Sequence, residues 1–81
     1  MNPIEIQNLI ETHIPNSKVF IQGDDGRHFD AIVISDIFQG KTRVQQQQLV
    51  YAIVNQHILD GSIHALSLKT YTPENWQHAN S

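Results

Sequence analysis

This chain has no cysteine, an absence that removes disulfide cross-links, cysteine-rich zinc sites and thiol nucleophiles from consideration. A metal bound here must use histidine, carboxylates or ligands supplied by another molecule. Basic residues are scarce as well: Lys18, Arg27, Lys41, Arg43 and Lys69 are the only five, scattered through a chain of formal net charge -3. Nucleic-acid binding draws most of its affinity from lysine and arginine neutralising phosphates, so a footprint this thin supports weak binding at best, with Lys41 and Arg43 as a local patch. Long apolar runs are missing too. Nowhere do about 18 apolar residues follow one another as a membrane span requires, and Met1 to Leu9 lacks the basic flank and apolar run of a signal peptide. The chain is expected to be soluble and cytoplasmic.

What is present fits a small globule. With 40% hydrophobic and 16% charged residues over 81 positions, the chain is expected to fold as one domain spanning residues 1–81, near the lower size limit for a single core. A chain this small has little room to enclose a substrate pocket, and no Ser-His-Asp order stands out, so catalysis is not expected.

Asn2-Pro3-Ile4-Glu5 reads as a helix start, with Asn2 as cap, Pro3 in the first turn and Glu5 completing a capping box. Ile6, Leu9, Ile10 and Ile14 follow at helical spacing until Pro15 disfavours continuation. Lys18 to Gln22 and His28 to Ile34 read as strands of a hairpin around Gly23-Asp24-Asp25-Gly26. Ser35 to Gly40 is a connector. Thr42 caps a second helix carrying Leu49, Val50, Ile53, Val54 and Ile58 on one face, with Gln45 to Gln48 mainly outside. After the Asp60-Gly61 turn, Ile63 to Tyr71 is a third strand, and Thr72-Pro73 starts a last helix. The order is α-β-β-α-β-α. A third strand reached through a long helix implies parallel pairing, hence an α+β fold with a three-stranded mixed sheet covered by helices on one face.

The histidines are the chemically informative residues. His64, at the head of an apolar strand, is either a half-buried ring satisfied by a backbone carbonyl or a metal ligand on a rigid support. His28 follows the hairpin loop, as an exposed flanking residue or as a second ligand able to approach His64 if the second and third strands are neighbours. Asp24 and Asp25 are oxygen donors ranked below it. His13, His57 and His78 are assigned no role. Gly23-Asp24-Asp25-Gly26 matches the literal G-x-x-G of KH domains, but aspartates repel phosphate and the segment reads as a turn. Asp30 reads as a strand-edge charge and Glu74 as a first-turn residue favoured by the helix dipole. Phe38, Tyr71 and Trp76 are aromatics of the kind a partner surface uses, with Trp76 expected in the core and Tyr71 left open between the two.

Phe38-Gln39-Gly40, Val50-Tyr51, Ile63-His64-Ala65-Leu66 and Tyr71-Thr72-Pro73-Glu74-Asn75-Trp76 together resemble the BolA family over nearly the whole chain. The short loop before His28 and the glutamine-containing second helix are most similar to its IbaG-like (YrbA-like) bacterial members. The resemblance implies a type II KH-like fold with one further short helical element, written α-β-β-α-(α)-β-α. It implies a monothiol glutaredoxin as partner and a bridging [2Fe-2S] cluster shared with it and with glutathione, in iron-sulfur handling or sensing linked to acid stress. His64 matches the family's histidine ligand, and His28 is the candidate for the second. No cofactor is expected on the isolated chain, which would be a monomer or weak homodimer. Two imidazoles on one iron would make such a cluster Rieske-like, with a raised potential, and sensitive to acid through ligand protonation. The alternative is a KH-like nucleic-acid-binding transcriptional regulator using Lys41, Arg43 and Lys69. Many relatives carry Arg-His-Arg before the Val-Tyr pair. This chain has Gln46-Gln47-Gln48-Leu49, which removes charge from that helix and weakens the alternative.

Overall fold

The computed structural model describes residues 1–23 and 25–80. Asp24, one of the candidate oxygen donors, lies outside the described residues. The elements are α1 (Pro3–His13), β1 (Lys18–Gln22), β2 (His28–Ile34), a single 3-10 turn (Asp36–Phe38), α2 (Arg43–Leu59), β3 (Ala65–Tyr71) and α3 (Pro73–Asn80). Both expected capping boxes form. The Asn2 side chain accepts from the Glu5 N–H while Glu5 reaches back to the Asn2 N–H, and Thr42 and Gln45 do the same for α2. Each box satisfies two N–H groups that a helix start would otherwise leave without partners.

The sheet order is β1-β2-β3, with β1 antiparallel and β3 parallel to the central β2. Alternation fixes the two faces. Val19, Phe29, Ala31, Val33 and Leu68 point inward and meet Ile6 and Ile10 of α1 and Val50 and Val54 of α2, all in one buried cluster. The opposite face carries Phe20, Ile32, Ile34 and Tyr71, which the register brings side by side. α1 and α2 thus cover one face, as the pattern predicts. Trp76 of α3 instead reaches the other face, with its ring 5.7 Å from Phe20 and 5.3 Å from Tyr71. Neither the main core nor a bare partner surface describes it: it forms a small aromatic lid on the outer face, beneath which Ile34 is 5% exposed.

Several sequence expectations change. Phe38 is fully buried rather than displayed. The additional helical element is the 3-10 turn before α2, whereas the segment between α2 and β3 is a turn. Asp30 lies in the central strand and not at an edge. Gln46 is buried within an otherwise polar run: its amide donates to the carbonyls of Phe38 and Lys41 at 3.1 and 3.0 Å, and its oxygen accepts from the Thr70 hydroxyl at 2.8 Å. That side chain ties the loop entering α2 to the end of β3. Finally, β3 begins at Ala65 and not at Ile63. The Ile63 N–H is taken by the His57 carbonyl at the end of α2, and the N–H groups of His64 and Ala65 both donate to Arg27.

A candidate two-histidine site at the start of two neighbouring strands

Parallel pairing places the first residues of β2 and β3 next to each other. His28 is in register with Ala65, and the His64 N–H donates to the Arg27 carbonyl at 3.0 Å. The two histidines are therefore tied through adjoining backbone, each one residue from the other's partner. The ring of His64 is exposed and has no hydrogen-bond partner among the described residues, so the half-buried alternative is not what the structure shows. The ends of both strands are well anchored. Phe29 and Ile63, the residues flanking the site, sit in the core at 2% and 1% exposure.

His28 is held more closely. Asp25 Oδ1 accepts from the backbone N–H groups of Arg27 and His28, each at 2.9 Å, and Asp25 Oδ2 pairs with His28 Nδ1 at 2.8 Å. The hydrogen bond from the His28 side chain, then those from the two backbone N–H groups, hold the Asp25 carboxyl well below the usual carboxylate range. This contact is open to water, with the two side chains 67% and 52% exposed, so its contribution to stability is small. Its contribution to geometry is larger, because it orients the ring. Both Asp25 oxygens are thus engaged, one by the loop backbone and one by His28. An aspartate three residues before a histidine, in a glycine-bounded turn, is a local signal of this arrangement.

Beside His28 lies an open cleft of about 690 Å³ lined by Ile21, Gln22, Gly23, Asp25 and Asp30 among others. Among the described residues, no three His, Cys, Asp or Glu side chains converge where a metal ion could sit. The donor set here is two exposed imidazoles, one with a fixed orientation, and nothing that would complete a coordination sphere. Such a set fits half of a shared metal site and does not fit a closed structural one.

The remaining candidates are dispersed. Arg43 and Lys69 line one cleft of about 230 Å³ with Gln47, Thr70 and Tyr71, whereas Lys41 lies by a separate depression alongside Gln45, Gln48 and Leu49. Thus the three cations of the nucleic-acid reading do not line one cleft. His13 bonds the Leu9 carbonyl of its own helix, His57 lies near the end of α2 with its carbonyl taken by the Ile63 N–H, and His78 lies on α3.

A family model described as BolA-like protein matches residues 2–75. The chain belongs to the BolA-like family. Its sequence is 40% identical over 72 residues to the acid stress protein IbaG of Escherichia coli K12, an alignment covering 89% of this chain and 84% of that protein. It is 36% identical over 70 residues to a DNA-binding transcriptional regulator BolA of Haemophilus influenzae, covering 86% of this chain and 63% of that one. The solved structure of a BolA protein homologue from Coxiella burnetii superposes with a TM-score of 0.83 at 40% identity, covering 95% of this chain and 97% of that one. The IbaG-like resemblance and the fold of this BolA-like protein, an open three-stranded sheet with helices packed on it, are accordingly established. No helix among the described residues is long and apolar enough to cross a membrane.

Proposed function

We propose that this BolA-like protein is a non-enzymatic cytoplasmic partner of a monothiol glutaredoxin, and that His64 and His28 are its contribution to a bridging [2Fe-2S] cluster. The partner's cysteine and a glutathione thiol complete the ligand set. The observation that carries this reading is the backbone juxtaposition of two exposed histidines at the starts of β2 and β3, where no three His, Cys, Asp or Glu side chains among the described residues could hold a metal by themselves. A bound cluster would supply one-electron redox chemistry or a transferable iron-sulfur unit, and the chain's own part is to hold two nitrogen donors on a rigid strand end. The name of its relative IbaG supports a role in acid stress, which fits ligands that must be deprotonated to bind a metal.

Co-expression with the monothiol glutaredoxin of the same cell tests the proposal. A coloured heterocomplex with iron-sulfur absorption is expected, weakened in His28→Ala and lost in His64→Ala. A colourless mixture under anaerobic reconstitution overturns it. The Arg43 and Lys69 cleft, together with the name of the Haemophilus relative, favours a second reading as a DNA-binding regulator. That reading requires salt-dependent duplex binding whose salt slope falls by about one when Arg43 is replaced.

A further inference from the structure

Oδ1 and Oδ2 of Asp25 do different work. Oδ1 closes the loop by accepting two backbone N–H groups, while Oδ2 faces a single ring nitrogen, His28 Nδ1. An ionised carboxylate only accepts, so the hydrogen between them belongs to Nδ1. A neutral imidazole with hydrogen on Nδ1 has its lone pair on Nε2. The exposure of the His28 side chain leaves that atom open to an incoming metal.

We infer that Asp25 is a positioning residue that fixes the tautomer of His28, making Nε2 its ligating nitrogen before any partner arrives. The consequence for cluster binding rests on the function proposed above, but the tautomer is a property of the metal-free chain. Pre-setting it removes a proton rearrangement and a ring rotation from the binding event. A negative charge behind the ring also makes Nε2 a stronger donor, as carboxylates do for histidine ligands elsewhere.

The division of labour between the two oxygens provides a selective variant. In Asp25→Asn the side-chain oxygen still accepts from the Arg27 and His28 N–H groups, so the loop is kept. The amide nitrogen then replaces Oδ2 and donates to Nδ1, which moves the ring hydrogen to Nε2. Asp25→Ala removes both contacts and serves as the second variant.

Long-range proton–nitrogen NMR of the metal-free, nitrogen-15-labelled chain at about pH 8.5, where an ordinary imidazole is neutral, reads the tautomer directly. In the unmodified chain His28 is expected to show a protonated Nδ1 and a bare Nε2. In Asp25→Asn the pattern inverts while the Arg27 and His28 amide resonances stay near their original positions. In Asp25→Ala the ring goes to the Nε2–H form preferred by free histidine, and both amides move. A protonated Nε2 in the unmodified chain, or an Asp25→Asn ring that does not invert, overturns the inference. In the glutaredoxin heterocomplex challenged with a chelator, Asp25→Asn should lose its visible absorption about tenfold faster or more. Equal rates despite an inverted tautomer overturn the positioning role. If the tautomer inverts as expected but no chain yields a coloured complex, Asp25 stands as the residue that sets the ring, and the cluster reading alone falls.

Discussion

Replacing Gln46 by alanine should be among the most damaging single changes to this fold, although the residue sits in a run of four glutamines. Its side chain makes three hydrogen bonds, two to loop carbonyls and one from a buried hydroxyl. The losses are unequal. The Phe38 carbonyl keeps the Lys41 N–H as a partner at 3.1 Å, the Lys41 carbonyl is only partly buried, and Thr70, at 3% exposure, is left with no acceptor. At about 1 kcal/mol for each bond, with more for the stranded hydroxyl, the loss is about 2–4 kcal/mol. A chain of this length has roughly 4–12 kcal/mol in total. With a urea m-value of about 1 kcal/mol/M, the midpoint should fall by about 2–4 M. Thr70→Val, which strands only the Gln46 oxygen, should cost about 1–2 kcal/mol. The double variant Gln46→Ala with Thr70→Val removes both sides of that contact and should cost less than the sum of the single changes. Urea unfolding followed by far-UV circular dichroism measures all four chains. A midpoint shift below about 0.5 M for Gln46→Ala, or strict additivity in the double variant, would refute the view of Gln46 as the tie between the α2 entry loop and β3.

Gly23→Ala should destabilise the hairpin, because an added Cβ would fall 2.5 Å from Phe29 Cδ1 and 2.9 Å from the His28 carbonyl. Displacing a core ring costs about 1–3 kcal/mol, and the His28 amide resonance should move with it. Phe20→Ala should release the outer-face lid without dissolving the main core, since Phe20 is not part of that cluster. The emission of the sole tryptophan, Trp76, should then shift to the red while the far-UV unfolding transition stays cooperative. Asp25 and Asp60 should both contribute to acid sensitivity. Asp60 is lowered by hydrogen bonds from the Ser62 side chain and backbone, and Asp25 chiefly by the His28 side chain. A depressed carboxyl stabilises the fold above its unfolded pKa and loses that effect as pH falls through the folded value. Stability should therefore decline below about pH 4, with a shallower slope in Asp25→Asn and Asp60→Asn as read from denaturant midpoints.

Local chemistry made much of this architecture readable. Asn2-Pro3-Ile4-Glu5 and Thr42 with Gln45 specify helix starts through side-chain to backbone bonds within three residues. The apolar alternation of Val19, Phe29, Ala31 and Val33 fixes which strand face is buried. A seventeen-residue helix between β2 and β3 dictates parallel pairing, and that pairing alone brings His64 beside Arg27 and His28. What stayed hidden depends on contacts across long sequence separations. Nothing near Gln46 distinguishes it from Gln45 or Gln48, because the partner that justifies its burial, Thr70, is 24 residues away. Trp76 meets Phe20 across 56 residues of sequence, so periodicity could not say which sheet face it covers. The role of Asp25 was within local reach, but a carboxylate near a histidine reads equally as ligand or as support until both oxygens are placed.

Nitrogen donation from His64 and His28 is what the proposed function requires of this chain. Pulsed electron paramagnetic resonance of the reduced heterocomplex with a monothiol glutaredoxin detects nitrogens bound directly to iron. Two strongly coupled imidazole nitrogens are expected, with one lost in His28→Ala and the spectrum abolished or converted to another ligand set in His64→Ala. A reduced cluster with no coordinated nitrogen, or with couplings that survive both substitutions, would contradict the account.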